Sequence, residues 1–387
     1  MKLPIYLDNH STTQVDPRVV DAMLPCFGEL YGNAASKQHE YGWRAEAAVE
    51  KARGEIARLI ECDAKEIVFT SGATESINLA IKGVAEAYAS KGRHIITVAT
   101  EHKAVLDTCK RLEKYGFSIT YLPVDTNGLV SVDLIRSSIA PSTILVTVMI
   151  ANNEIGTIAP IEEIGNVCRE RGVLFHTDAT QAVGKIPVGV ERMKIDLMSF
   201  SAHKMYGPKG VGALYVRQKV KVAPQLDGGG HEHGYRSGTL NVPAIVGFGK
   251  AAEIAAREMK GDADRLARLR DTFVEALKRE LDEIQINGHP TERLPQNANI
   301  TFVGTKADRL MMDMKDIAVS SGSACSSASP EPSHVLRALG LSDDEVLASI
   351  RFGLGRFTTE EEIGYTIGRV VEVVKRARER SYSLTHS

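Results

Sequence analysis

The chain has 387 residues, enough for a large core and two domains. Hydrophobic residues make up 43% and charged residues 25%, with 47 basic against 49 acidic side chains. This is ordinary globular composition, and the near balance of charge argues against a nucleic-acid surface spread over the whole protein.

No segment reaches the ~20 apolar residues that span a bilayer, and MKLPIYLDN lacks the apolar run of a signal peptide. Five scattered cysteines with no CxxC pair fit reduced thiols in a cytoplasm better than a disulfide framework or a zinc site.

Residues 1–13, which include IYLDNHSTT, read as an extended segment. Asp16–Pro17 opens a helical stretch, GNAAS at 32–36 is a loop, and Trp43–Ile60 has the apolar spacing of a helix. Strands and helices then alternate. Strands fall at 66–70, 94–99, 118–124, 143–151, 173–177, 197–201 and 212–216, with helices after 71, at 102–115 and at 161–171. Such alternation predicts a mostly parallel sheet covered on both faces.

After about Ala251 the character changes. A charged amphipathic helix is expected at Ala252–Leu281, then short strands near 299–302 and 317–320. Helices follow at Ser333–Leu339 and Thr359–Arg380, the last with a Thr359/Glu362 capping box. The expected organisation is a large α/β domain, 14–251, and a smaller α+β domain formed by 1–13 and 252–387.

Three features converge on one chemistry. Lys204 follows the apolar run Leu197–Phe200 in DLMSFSAHKMYGPKG, at a strand end where partial desolvation favours the neutral amine that attacks a carbonyl. Ser71-Gly72-Ala73-Thr74-Glu75-Ser76 lies between a strand and a helix, so its free N–H groups suit a phosphate. Asp178 ends a buried strand, where a carboxylate can keep a pyridine nitrogen protonated, and Gln181 is placed to donate to a ring oxygen. Each has a plainer reading: a surface lysine, an N-cap turn and a helix cap. Together they form a pyridoxal 5′-phosphate (PLP) constellation.

The motifs YLDNHSTT, FTSGATESINLAI, TEHKAVLDTC, NNEIGTI, DATQAVGK, SFSAHKMYGPKGVG, GGGHEHGYRSGT, SSGSACSSASPEPSHVLRALGL and SIRFGLGRFTTEEE carry a resemblance from about Leu3 to Arg378. The chain resembles the cysteine desulfurases of the IscS/NifS group, fold-type I PLP-dependent transferases with the aspartate-aminotransferase architecture. That resemblance implies a large domain built on a mostly parallel seven-stranded sheet and a smaller C-terminal α+β domain. It makes Lys204 the Schiff-base lysine, pairs Asp178 with the pyridine nitrogen and sets Gln181 on the phenolic oxygen. Ala73, Thr74, Ser201 and His203 would hold the phosphate, joined by Thr239 from the partner subunit of a homodimer. His102 would stack on the ring and move protons. Asn153 would contact cofactor and substrate, Arg351 would bind the substrate carboxylate, and Cys325 would be the nucleophile.

The implied reaction takes sulfur from L-cysteine, leaving L-alanine and a persulfide on Cys325. The acceptor would be an IscU-like iron–sulfur scaffold or tRNA-thiolation proteins, in the cytoplasm. The alternative is a selenocysteine lyase or another fold-type I aminotransferase. No resident metal is expected, Cys325 being at most a transient iron–sulfur ligand.

Residue chemistry agrees. Cys325 sits in a Ser/Gly/Ala-rich loop that offers little bulk to pack, so its thiol is expected to be mobile and accessible. The planar Arg351 guanidinium suits a carboxylate, and His102 follows a strand, where an imidazole can move protons. His231-Glu232-His233 has no third ligand in view and reads as a loop. The basic run Lys375, Arg376, Arg378 and Arg380 reads either as a partner surface or as a solvated helix face. Two departures from the family pattern stand out. Asn9-His10 replaces other small or aromatic residues, and Ala35 stands where GNPAS is common. The tail after Arg380 is also shorter than in many IscS-type relatives.

Overall fold

The computed structural model describes residues 2–321 and 332–385, with side chains described as far as Arg380. Its centre is a seven-stranded sheet in the order Ile67–Thr70, Gly212–Val216, Leu197–Ser201, Leu174–Asp178, Thr143–Thr147, His94–Val98, Ser118–Leu122. Gly212–Val216 runs antiparallel to both its neighbours, and the other six strands are mutually parallel.

Successive residues in a strand face opposite sides, and here both sides are dry. Val68, Ile95, Leu145, Leu197 and Leu214 pack under the helices Ala73–Tyr88 and Lys103–Glu113. Their neighbours Phe69, Ile96, Val146, Met198 and Ala213 pack on the other side, with residues of Glu40–Ile60, Ile161–Arg171 and Val242–Glu280. Double burial explains why the strands read as unbroken apolar runs.

A separate apolar cluster joins Ile5 and Leu7 to Leu266, Phe273, Ile300, Ile350, Phe352 and Val373. Phe352 lies 4.9 Å from Phe273 and 6.5 Å from Phe302, centroid to centroid. Burying each such ring contributes roughly 2 kcal/mol. Ile5–Tyr6 pairs with Ile317–Ala318, and Asn297–Phe302 is the middle strand between Ile284–Asn287 and Ser349–Gly353.

Several elements differ from the sequence reading, among them the helix Val132–Ser138, the strand Ile284–Asn287 and the helix Asp343–Leu347, which it does not contain; two more bear on the site. The helix expected to start at Ala252 starts at Val242 and ends at Glu280. Its first ten residues, VPAIVGFGKA, bury Val242, Ile245 and Phe248 and carry one charge, so they lack the amphipathic signal that starts later. The strand Ser349–Gly353, which carries Arg351, is fully buried and was not anticipated, because SIRFG alternates too briefly to register.

The N-terminal segment runs from the second cluster to the first. Where it ends, Asp16 caps Pro17–Met23 and accepts hydrogen bonds from Arg18 Nη2 (2.8 Å) and Arg356 Nη1 (3.0 Å). The Arg18 bond, followed by the other bonds from Arg18 and Arg356, outweighs burial and draws the Asp16 carboxyl down to about 2. A depressed carboxyl stabilises the fold above its unfolded value near 4, and that stability is lost as pH falls toward 2. The half-exposed Arg18 is screened by solvent, so Asp16→Asn should cost about 1 kcal/mol at neutral pH. In urea melts, the gap between wild type and variant should close between pH 4 and pH 2. A gap independent of pH would show that the loss is steric.

Candidate active site

Five parallel strands deliver chemistry at their C-terminal ends, on the edge of an open α/β sheet where such sites form. Ile67–Thr70 leads to Ala73 and Thr74, and His94–Val98 to His102. Thr143–Thr147 leads to Asn153, Leu174–Asp178 ends on Asp178 itself, and Leu197–Ser201 leads to Lys204. These residues, with Gln181, His203 and Arg351, line one cleft of about 700 Å³.

At one end of the cleft, the helix Ala73–Tyr88 begins without any side-chain cap. Its N-cap is Gly72, at φ 155° and ψ 179°, a conformation open essentially to glycine alone. A Cβ on Gly212 would lie 2.7 Å from Gly72 Cα, so the strand and the turn meet only because Gly212 lacks a side chain. Gly72, Ala73 and Thr74 line the same cleft as Lys204, so this uncapped helix end brings its first-turn N–H groups and the positive end of its dipole to the cleft, a setting that suits a phosphate. Ser201 lies just behind, and its buried Oγ finds no hydrogen-bond partner among the described residues.

Asp178 accepts the Thr180 N–H on Oδ1 at 2.9 Å, so it does form the turn that the plainer reading expects. It also lines the cleft. Thr180 Oγ1, beside it, is buried and without a partner among the described residues. An uncapped helix N-terminus, a strand-end carboxylate and unpaired buried hydroxyls around one lysine fit PLP: the helix and Ser201 for phosphate, Asp178 for the ring nitrogen, Lys204 for the aldehyde.

Lys204 sits half-buried on the turn Ala202–Lys204. Its Nζ donates to the backbone carbonyls of His10 and, at 2.6 Å, Ser11. His203 Nδ1 meets Thr12 Oγ1 at 3.1 Å. Burial first, then the nearby Lys204 and Lys209 cations, lower the His203 pKa to about 4. It therefore works as a neutral ring rather than a cation.

His102 is the N-cap of Lys103–Glu113, one residue before the helix rather than inside it. Its Nδ1 accepts the Ala104 N–H at 3.1 Å, which puts the proton of the neutral ring on Nε2. Just before it, the buried Glu101 accepts the Met149 N–H, and burial, reinforced by Asp178, pushes its carboxyl well above the usual range.

Arg351 is 3% exposed. Its Nη2 donates to Asp8 Oδ1 (2.9 Å) and Ser11 Oγ (2.8 Å), and its Nη1 to the Asn153 carbonyl (2.8 Å). These bonds fix the plane of the guanidinium and leave further N–H groups for a carboxylate. Asp8, His10 and Ser11 hold the site in place, yet the sequence reading assigns them no role. A signal was present: DNHSTT is a long polar run after IYL with no glycine or proline to make it a turn, and such a run needs partners if it is buried.

Among the described residues, the expected Ser201 and Thr239 do not line the cleft. Thr239 is exposed, three residues beyond Arg236, whose Nε donates to Glu75 Oε1 at 2.7 Å. Cys325 lies outside the described residues. The HEH run has a structural job: Glu232 is buried, takes two bonds of 2.8 Å from Arg53 and one from the Phe69 N–H, and so ties its loop to the sheet.

Gly212→Ala should push Gly72 out of place. Affinity for PLP should fall at least tenfold in absorbance titrations of the apoprotein, because the phosphate loses oriented donors. Unchanged affinity would refute this helix end as the phosphate site.

Residues 5–365 match the sequence profile of the family described as Aminotransferase class-V. The chain is 58% identical over 383 residues to a cysteine desulfurase IscS of Anaeromyxobacter sp. (strain Fw109-5), covering 98% of this chain and 95% of that one. It is 55% identical to another from Methylococcus capsulatus, with the same coverage. Among solved structures, a NifS-like protein superposes with a TM-score of 0.91 at 39% identity, covering 96% of this chain and all of that one. A structure described as SspA in complex with cysteine gives 0.82 at 38%, covering 92% of this chain and all of that one. The family's profile spans nearly the whole chain, and its cofactor is the one the cleft fits: the chain belongs to the class-V aminotransferases, in their PLP-dependent cysteine desulfurase branch.

Proposed function

We propose that this chain takes the sulfur of L-cysteine onto Cys325 and passes it to an acceptor protein. PLP, when bound, supplies the carbonyl carbon that holds the substrate amine and the electron sink that loosens its bonds. Lys204 holds the cofactor and moves the α-proton, with His102 Nε2 as the second proton carrier. Arg351, with Asn153, binds the substrate carboxylate, and Asp178 keeps the pyridine nitrogen protonated. The Cys325 thiolate attacks substrate Sγ and the S–Cβ bond breaks. Cβ takes a proton, leaving alanine and a persulfide on Cys325.

The observation that carries the choice of Cys325 is where its segment is tied down. Ser320 exchanges backbone hydrogen bonds with Arg351, 2.7 Å from the Arg351 N–H. On the far side, Ser333 Oγ donates to Glu154 Oε2 at 2.6 Å, and His334 Nε2 donates to the Glu101 carbonyl at 3.0 Å. Cys325 is five residues from Ser320, within at most about 18 Å of chain from the substrate arginine. The other cysteines do not compete. Burial raises the thiol pKa of Cys26 and Cys62, and lifts Cys109 and Cys168 to about 12, so none is a thiolate near neutral pH.

The working form is a homodimer in the cytoplasm, with Thr239 reaching the partner's phosphate. Phe27, Tyr31, Tyr41 and Trp43 are all more than half exposed and lie close in sequence around the start of Glu40–Ile60, a surface of the kind that associates. The described cysteines are all reduced, and no described helix is long and apolar enough to cross a membrane. The division into residues 14–251 and a smaller part formed by 1–13 and 252–387 goes with this reading. So does an iron–sulfur scaffold as acceptor.

Cys325→Ala should bind PLP as wild type does, while alanine release falls at least a hundredfold and the protein persulfide vanishes by mass spectrometry. Full alanine release by that variant would refute the nucleophile. Thr239→Ala should weaken PLP several-fold, and sedimentation should show a dimer. A fully active monomer would refute the shared site.

A further inference from the structure

His10 belongs to the pair at which the N-terminal segment departs from its family, and nothing above gives it a part in the reaction. It is 1% exposed and lines the cleft. A Cβ on Gly353 would lie 2.7 Å from its Cδ2, so the ring is wedged in place by a residue that must stay small. Both of its ring nitrogens are engaged: Nδ1 lies 2.9 Å from Gln181 Oε1, and Nε2 lies 3.1 Å from Asn297 Nδ2.

The network decides which atoms donate. Asn297 Nδ2 lies 3.1 Å from the Glu154 carbonyl, which can only accept, so the amide nitrogen of Asn297 must face it. That same nitrogen donates to His10 Nε2, which therefore carries no proton. The proton of the neutral ring sits on Nδ1 and donates to Gln181 Oε1. Gln181 Nε2 in turn donates to the His10 carbonyl at 3.0 Å. Lys204 Nζ donates to that same carbonyl oxygen, so the amide nitrogen of Gln181 lies on the lysine side of the cleft. Burial, then the nearby Arg351, with Lys185 and Lys204, holds the His10 imidazole neutral and keeps this order of donors intact.

We propose that His10 is a positioning residue whose Nδ1–H locks the Gln181 amide with its NH₂ toward the cofactor, making Gln181 a donor to the phenolic oxygen of PLP. An unlocked amide can rotate and present Oε1, an acceptor facing an anionic oxygen. The proposal rests on Gln181 meeting that oxygen, and the two ideas are separable by experiment.

The readouts are PLP affinity in titrations of the apoprotein and the pH midpoint of the visible band of the bound cofactor, with no turnover involved. A donor to the phenolic oxygen weakens its hold on the proton of the neighbouring nitrogen, so losing the donor raises the midpoint. Gln181→Leu should raise it by about one pH unit, the size of one hydrogen bond to a charged group. His10→Phe, which keeps the ring and removes both nitrogens, should reproduce at least half of that rise and weaken PLP several-fold. In the Gln181→Leu background His10→Phe should add nothing. With Gln181 present, His10→Asn, which can keep an N–H at this place, should give the wild-type midpoint.

A silent His10→Phe beside a shifted Gln181→Leu would overturn the role of His10, as would additive shifts in the double variant. A silent Gln181→Leu would overturn the reading of Gln181 and the proposal with it. ¹⁵N shifts of His10 in the wild-type holoenzyme give a check that needs no variant: Nδ1 should be protonated and Nε2 bare, and the opposite tautomer would sink the proposal.

Discussion

The site depends on one length of buried backbone, Asp8 to Thr13. Polar groups taken out of water must be paired or they cost about 1–3 kcal/mol each. Here they pair with the groups that do the chemistry. The carbonyls of His10 and Ser11 receive Lys204, Asp8 and Ser11 side chains hold Arg351, the His10 ring and carbonyl hold Gln181, Thr12 meets His203, and Thr13 Oγ1 donates to the His203 carbonyl and accepts the Tyr206 N–H. The segment acts as a jig: satisfying its own hydrogen bonds fixes four site residues that come from three distant parts of the chain.

Electrostatics then sorts these groups by role. Burial first, then the cations gathered around the lysine, holds both His10 and His203 neutral, and His10 serves through a fixed tautomer. On the opposite side, Glu101 is buried near Asp178, and the two would repel if both were charged. Glu101, the more enclosed of the two, has its carboxyl held well above the usual range by that burial. His102, capping a helix through Nδ1, keeps its movable proton on Nε2.

Much of this was legible in the sequence, and the reasons are local. Lys204, Asp178 and the Ser71–Ser76 turn follow apolar runs directly, so strand and site announce each other within a few residues. Double burial makes those strands visible without any partner. The Arg351 guanidinium itself could be read as suited to a carboxylate from its motif and chemistry. The strand that carries it was not, because SIRFG is short and takes its meaning from pairing with Asn297–Phe302, about fifty residues earlier in the chain. The roles of Asp8, His10 and Ser11 were hidden for the same reason. Their partners lie about 170 to 340 residues away, and spacing along a chain carries no trace of such contacts. The start of the long helix at Val242 was missed because a helix buried all round has no polar face to mark its period.

The same segment also explains why two cores are needed for one site. Ile5 and Leu7 are buried with Phe352 and Ile350, while Asp16 is held by Arg356 and caps a helix packed against Val242–Glu280. The jig is thus pinned at one end in each apolar cluster. Arg351 stands on the strand of the second cluster, whereas Lys204 and Asp178 stand on the central sheet. A relative shift of the two would therefore change the distance between Arg351 and Lys204, the groups proposed for the carboxylate and the amine, which are the two ends of an amino acid. Hydrogen bonds from one short segment to both ends make that distance a property of the fold rather than of the ligand, and oriented binding of this kind is what brings a reacting bond into line with its catalytic groups.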